Sequence, residues 1–179
     1  RVHLSAYFGE KTLSELTMAP KSWYEENGIK LQLGDPVVAM DRDQKEVISM
    51  HGLKESYDYL IFATGSAAFV PSIAGVELDG IFVYRTIEDL DLMKAHAQKA
   101  STGVVIGGGL LGLEAAKALL DLGISDAHVV EFAPRLMPRQ IDETGSQILS
   151  GKLMELGIKT HCSKNTAQFT GEKAVDGLL

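Results

Sequence analysis

The apolar positions of this chain fall into short runs broken by glycine, proline and charged residues, and their period changes along the chain. Val104-Val105-Ile106 is a continuous β-branched run, the pattern of a strand buried on both faces. After it, Leu111, Ala115, Ala118 and Leu122 recur at helical spacing, with Glu114, Lys117 and Asp121 on the opposite face. Gly123 stands where such a helix ends. Ala127 to Glu131 reads as a second strand. Asp142 is positioned to cap a helix running to Leu156, with Gly157 ending it, and strands are predicted at Ile158 to Cys162 and Thr166 to Phe169. Such alternation predicts a parallel sheet with helices on both faces.

Upstream the runs are shorter. Arg1 to Glu10 has no clear period and reads as a loop entering a short helix. Pro20 to Asn27 reads as a helix with proline in its first turn and Gly28 just past its end. Strands are predicted at Ile29 to Leu33, Pro36 to Asp41 and Glu46 to Met50, with turns at Asp35-Pro36 and Asp41-Arg42-Asp43-Gln44, forming a small antiparallel meander. Tyr59 to Ala63 is predicted to be a buried strand leading into Thr64-Gly65-Ser66. Small residues there let the backbone approach a bulky flat ligand, although an ordinary strand exit has the same composition. Pro71 to Gly80 resembles a linker, and Ile81-Phe82-Val83 suggests a short strand. Thr86 with Asp89 matches a capping box opening a helix to about Lys99.

Between the strand at Val104 and its helix lies Gly107-Gly108-Gly109-Leu110-Leu111-Gly112, a Gly-x-Gly-x-x-Gly pattern. Gly107 allows the tight turn, Gly109 lets a pyrophosphate approach the backbone, and Gly112 lets helix pack closely on strand. The free amides and positive end of the helix dipole then face an anion. Glu131 ends the next strand 19 residues after Gly112, near the spacing of about 20 expected for a carboxylate that binds ribose hydroxyls. A glycine-rich turn without a ligand and a methyltransferase-like nucleotide site share parts of this pattern. Strand, helix, second strand and acid together favour a dinucleotide.

Charge narrows the partners. A net charge of −7 without a basic cluster argues against nucleic acid or an anionic membrane. No apolar run approaches the roughly 20 residues that span a bilayer, and a cytoplasmic location follows as the default expectation. The single cysteine, Cys162, excludes an internal disulfide and a multi-cysteine metal site. The five histidines show no ligand spacing, so no metal site is expected. Trp23 and Tyr24 read as packing residues, and Glu25-Glu26 as a solvated face.

Two motifs in order carry a resemblance. Tyr57-Asp58-Tyr59-Leu60-Ile61-Phe62-Ala63-Thr64-Gly65-Ser66 resembles the segment of two-dinucleotide flavoprotein reductases, the pyridine nucleotide-disulfide oxidoreductase superfamily, that ends in Ala-Thr-Gly near the FAD. Gly107 to Glu114 resembles the NAD(P)H loop of the same superfamily, and Arg85-Thr86-Ile87-Glu88-Asp89 between them also fits. Arg1 to Ser5 and Glu131 to Gln140 resemble the branch of NAD(P)H-dependent nitrite reductase large subunits. The resemblance covers essentially the whole chain. It implies an α/β fold: a Rossmann-like parallel-sheet NAD(P)H-binding domain over residues 99–179, truncated at its C-terminus, and a partial FAD-domain segment with the antiparallel meander over residues 1–98.

The resemblance further implies hydride transfer from NAD(P)H to FAD, with electrons leaving towards a nitrite-reducing centre that makes ammonia. Gly107, Gly108, Gly109, Leu110, Leu111 and Gly112 would surround the pyrophosphate. Glu131, with Phe132 and Arg135 beside it, would receive the adenosine ribose, and Ala63, Thr64 and Gly65 would face the flavin. Glu114 matches the position lying towards the nicotinamide and is the candidate catalytic residue; a solvated carboxylate paired with Lys117 is the competing assignment. Glu131 favours the free 2′-hydroxyl of NADH and repels a 2′-phosphate, although Arg135 and Arg139 lie close enough in sequence to offset this. Nitrite reductase large subunits also carry an FAD unit with its own glycine motif before the point matching Arg1, and siroheme and an iron–sulfur cluster in a later portion. This stretch is therefore expected to be internal, to hold part of the flavin site, to be inactive alone, and to partner a downstream redox domain, with a homodimer also possible. With no cysteine in Arg1 to Glu10, a thiol-based disulfide reductase is disfavoured. A rubredoxin- or ferredoxin-type NADH reductase, and a nucleotide-binding module without turnover, are the alternatives.

Overall fold

A computed structural model describes residues 4–8 and 12–179. Arg1 to His3 and Gly9 to Lys11, which carry part of the predicted opening loop and of the nitrite reductase resemblance, lie outside the described residues. The chain divides into two compact units, Thr17–Ala67 and the pair of segments Arg1–Leu16 and Ala68–Leu179. This division follows packing; the expected division at residue 98 concerns cofactors and is a separate matter.

In the larger unit, a parallel sheet is ordered β4 (Thr102–Ile106), β5 (Asp126–Val130), β6 (Ile158–His161). Helix α4 (Leu110–Asp121) joins β4 to β5, and α5 (Glu143–Glu155) joins β5 to β6. Both crossovers step the same way along the sheet, so right-handed connections put both helices on one face. The core records this: Leu113 and Ala116 of α4, Leu153 of α5, and Ala127, Val129 and Ile158 of the strands form one buried cluster, with Val105 packed against it. Among the described residues the helices predicted on both faces are therefore found on one. Val104 and Ile106 point to the other side and remain 39% and 41% exposed, so β4 is not buried on both faces. On that open face the imidazoles of His128 and His161 stack, with ring centroids 5.2 Å apart.

Helix α3 (Ile87–Ala97) forms a further layer. Leu90 and Met93 pack with Ala118 of α4 and with Phe8 of a 3-10 turn, Leu4–Phe8. Its start follows the predicted capping box: the Thr86 hydroxyl accepts Asp89 N–H, and the Asp89 carboxylate accepts Thr86 N–H at 2.8 Å. Lys94 ties the 3-10 turn down, donating to the Tyr7 carbonyl at 2.8 Å and lying over the Tyr7 ring. Because α4 is covered on two sides, its buried set is Leu113, Ala115, Ala116 and Ala118, whereas Leu111, predicted on the apolar stripe, is exposed. The predicted strand at Ile81–Val83 is absent, and Phe82 instead joins this second core. Residues 71–80 are not a free linker: Ala74 bridges Gln168 and Asp79 bridges Ala174. The last predicted strand is displaced to a short hairpin, β7 (Phe169–Thr170) with β8 (Gly177–Leu178).

The smaller unit follows the one-turn α1 (Leu13–Leu16) in the chain and holds α2 (Lys21–Glu26) and an antiparallel meander, β1 (Val37–Asp41), β2 (Glu46–Ser49) and β3 (Lys54–Ser56). Pro20 is the N-cap of α2 rather than its first residue. Asp41 accepts the backbone N–H groups of Asp43 and Gln44 at 2.9 Å each, making the predicted turn between β1 and β2. Asp35 braces the other end, accepting the Ser49 hydroxyl and the His51 N–H. The third strand is the polar β3, not Ile29–Leu33. Tyr59 to Ala63 forms no strand, and Tyr59 and Ile61 are 93% and 86% exposed. An apolar run becomes a buried strand only where a ladder partner and a packing face exist, and the described residues offer this run neither.

Candidate functional site

The glycine loop lies at the carboxyl ends of β4 and β5, where open α/β sheets place ligands. Its three motif glycines are needed for three different reasons. Gly107 has φ +111°, a conformation that side chains disfavour. A Cβ on Gly112 would lie 1.8 Å from the Gly107 carbonyl oxygen, so only glycine lets α4 start this close to β4. A Cβ on Gly109 would meet nothing within 4 Å: the space over this residue is open.

Gly109 is also the N-cap of α4 and offers no side-chain acceptor, and the helix has no acidic residue in its first turn. Helices α3 and α5 differ, being capped by Thr86 and by Asp142, which accepts Gly145 N–H at 2.8 Å, with carboxylates in their first turns. The first amides of α4 thus have no N-cap side chain to satisfy them. An anion placed there gains both hydrogen bonds and the helix dipole.

Glu131 follows β5 and is part-buried. Its Oε2 accepts Gly108 N–H at 2.5 Å and its Oε1 accepts Ala133 N–H at 2.7 Å. A carboxylate has about four acceptor positions, so capacity remains for hydroxyl groups. Phe132 beside it is 75% exposed, and Leu110 and Leu111 present further exposed apolar side chains at the start of α4. Glu114 is exposed on the first turns of α4. Lys117, its suggested partner, pairs with Asp121 instead. Arg135 donates from Nη2 to the Pro138 carbonyl at 3.0 Å, and its Nε is buried without an acceptor among the described residues.

Arg135 and Cys162 line a hollow with Pro134, Ser146 and Ser150. Burial, reinforced by the Glu131 charge, pushes the Cys162 thiol up, which disfavours a reactive thiolate. Ala63, Thr64 and Gly65 belong to the smaller unit, in an exposed irregular stretch rather than a turn, where Gly65 has φ +74°. Among the described residues no group of three or more His, Cys, Asp and Glu converges in a metal-binding arrangement, and no helix is long and apolar enough to cross a membrane.

Two residues escaped the motif reading. Leu136 is fully buried in the core cluster beneath the loop, and the Met137 N–H donates to the Gly108 carbonyl at 2.9 Å. In the sequence, Pro134 and Pro138 break up regular structure here, and only the two apolar residues between them hint that the stretch is also interior.

The family model described as pyridine nucleotide-disulphide oxidoreductase matches residues 5–178. The chain is 45% identical over 172 residues to the nitrite reductase (NADH) large subunit of Escherichia coli (strain K12), covering 96% of this chain and 20% of that protein. It is 46% identical over 169 residues to the nitrite reductase NAD(P)H large subunit of Klebsiella oxytoca, covering 94% and 18% respectively. Among solved structures it is similar to a ferredoxin reductase from Rhodopseudomonas palustris, with TM-score 0.91 and 26% identity over 100% of this chain and 45% of that one. The chain thus spans about a fifth of the length of these two curated relatives. It belongs to the pyridine nucleotide-disulphide oxidoreductase family, whose members bind FAD and NAD(P)H.

Proposed function

We propose that this chain is the NADH-binding and flavin-facing portion of a nitrite reductase large subunit. The open, uncapped start of α4 over Gly109, with Glu131 at the end of the neighbouring strand, is the observation that carries the nucleotide assignment. Similarity across nearly the whole chain to two nitrite reductase large subunits supports the branch. Bound NADH supplies a hydride and FAD accepts it; the protein's share is to bind and orient.

The amides of Gly109, Leu110 and Leu111 hold the pyrophosphate, Glu131 accepts the adenosine ribose hydroxyls, and Phe132 and Arg135 border the adenosine. Glu114 faces the nicotinamide side as a surface carboxylate whose suggested partner Lys117 is engaged by Asp121. Ala63, Thr64 and Gly65 fit the flavin, because they are small and exposed and so allow a bulky flat ligand to approach the backbone. Residues 1–98 serve the flavin and 99–179 the nucleotide. One cysteine does not fit siroheme or an iron–sulfur cluster, so reduction of nitrite to ammonia belongs to another part of the parent protein, which receives the electrons.

The 0.91 TM-score to a ferredoxin reductase favours a second reading, an NADH reductase for a separate electron carrier. Anaerobic mixing of the FAD-loaded full-length protein with NADH tests the shared step. Bleaching of the flavin, followed by reoxidation with nitrite, supports the first reading. Bleaching with reoxidation only by a ferredoxin or rubredoxin supports the second, and no bleaching contradicts both.

A further inference from the structure

Three successive glycines, Gly107 to Gly109, lose more backbone freedom on ordering than any other tripeptide would. A loop left free would have to be ordered by its ligand, at the expense of affinity. The structure shows it already held, and from one side. Gly108 donates its N–H to Glu131 and accepts Met137 N–H at its carbonyl. Its Cα is closed off as well: a Cβ there would lie 2.6 Å from Leu136 Cδ2 and 3.0 Å from Glu131 Cβ.

Gly108 is therefore glycine for want of space, although it occupies a position that the motif leaves variable. Met137 holds φ +46°, a conformation few non-glycine residues adopt, while its carbonyl accepts the N–H groups of Gln140 and Ile141. Leu136 shares its core cluster with Leu113 of α4, so one turn braces both the loop and the helix that follows it.

We propose that the Leu136–Met137 turn is a positioning element that presets the Gly108 peptide, and with it the Gly109 amide and the start of α4, for a dinucleotide pyrophosphate. The ligand class rests on the function proposed above; the bracing does not. A purely structural role predicts that Leu136 behaves like any other core leucine, and Leu153 of the same cluster is the matched control.

The test compares Leu136→Ala, the milder Leu136→Val, the volume-conserving Leu136→Met and Leu153→Ala in this chain. NADH titration and amide hydrogen exchange at Gly108 and Gly109 are the readouts. Leu136→Ala is expected to weaken NADH binding about tenfold or more and to speed exchange at both glycines, with Leu136→Val intermediate and Leu136→Met close to the parent. Leu153→Ala is expected to leave both readouts within about twofold of the parent at equal fraction folded. Equal effects of Leu136→Ala and Leu153→Ala overturn the proposal. A parent protein that binds no NADH while exchange at Gly108 still responds to Leu136 alone would retain the bracing and overturn the ligand class.

Discussion

Glu131 and Gly108 are joined by a 2.5 Å hydrogen bond from the glycine N–H to the glutamate carboxylate, and this bond gives Glu131 two tasks. It secures the loop through Gly108 and Ala133, and it leaves acceptor capacity for the proposed ribose contact. Glu131→Ala removes both bonds at once. The variant should lose about 2 kcal/mol of stability in chemical denaturation. It should also fail to gain NADPH affinity, although the repelling charge is gone. A variant of unchanged stability that binds NADPH better would reduce Glu131 to a simple cofactor selector.

Gly112 and Gly109 should separate stability from binding. Gly112→Ala forces a methyl group to 1.8 Å from a carbonyl oxygen, an overpacking expected to cost about 3 kcal/mol or more. Gly109→Ala meets open space and should cost about 1 kcal/mol or less as an N-cap change. It would nevertheless fill the volume assigned to the pyrophosphate and abolish measurable NADH binding. Thermal unfolding beside NADH titration reads both effects.

The start of α3 offers a test remote from the site. Thr86→Ala deletes the hydroxyl that caps Asp89 and should lower stability by about 1 kcal/mol with NADH affinity unchanged. Circular dichroism during denaturant titration reads the first effect, and nucleotide titration the second.

Acid should weaken the fold through identifiable carboxylates. Lys159 and then His128 hold Asp126 at about 2, below its ordinary value of 3.8. Ser49 and His51 likewise lower Asp35. A carboxylate depressed in the folded state contributes stability above its unfolded value and loses it as the pH falls through the folded one. For Asp126 this window runs from about 4 down to about 2. Unfolding midpoints should drop across it, and Asp126→Asn should flatten the drop.

What the sequence disclosed was mostly local. The Thr86 and Asp142 caps, the Asp41 turn and the glycines after α4 and α5 each depend on a few adjacent residues, and each stands where the pattern puts it. Failures arose where a distant partner decides the outcome. Tyr59 to Ala63 is apolar enough for a strand but has no ladder among the described residues, whereas the polar Lys54–Ser56 becomes one by pairing with β2. The β-branched run of β4 could not reveal that both helices would settle on the same side. Gly107, Gly109 and Gly112 were readable from spacing alone. Gly108 was not, because its reason lies 28 residues away in Leu136.

The most direct test of the account is NADH titration into the purified protein, followed by nucleotide fluorescence, with NADPH and Gly109→Ala in parallel. Saturable NADH binding, weaker NADPH binding and loss of both in Gly109→Ala is the predicted result. Absence of saturable binding, or NADPH binding tighter than NADH, would contradict it.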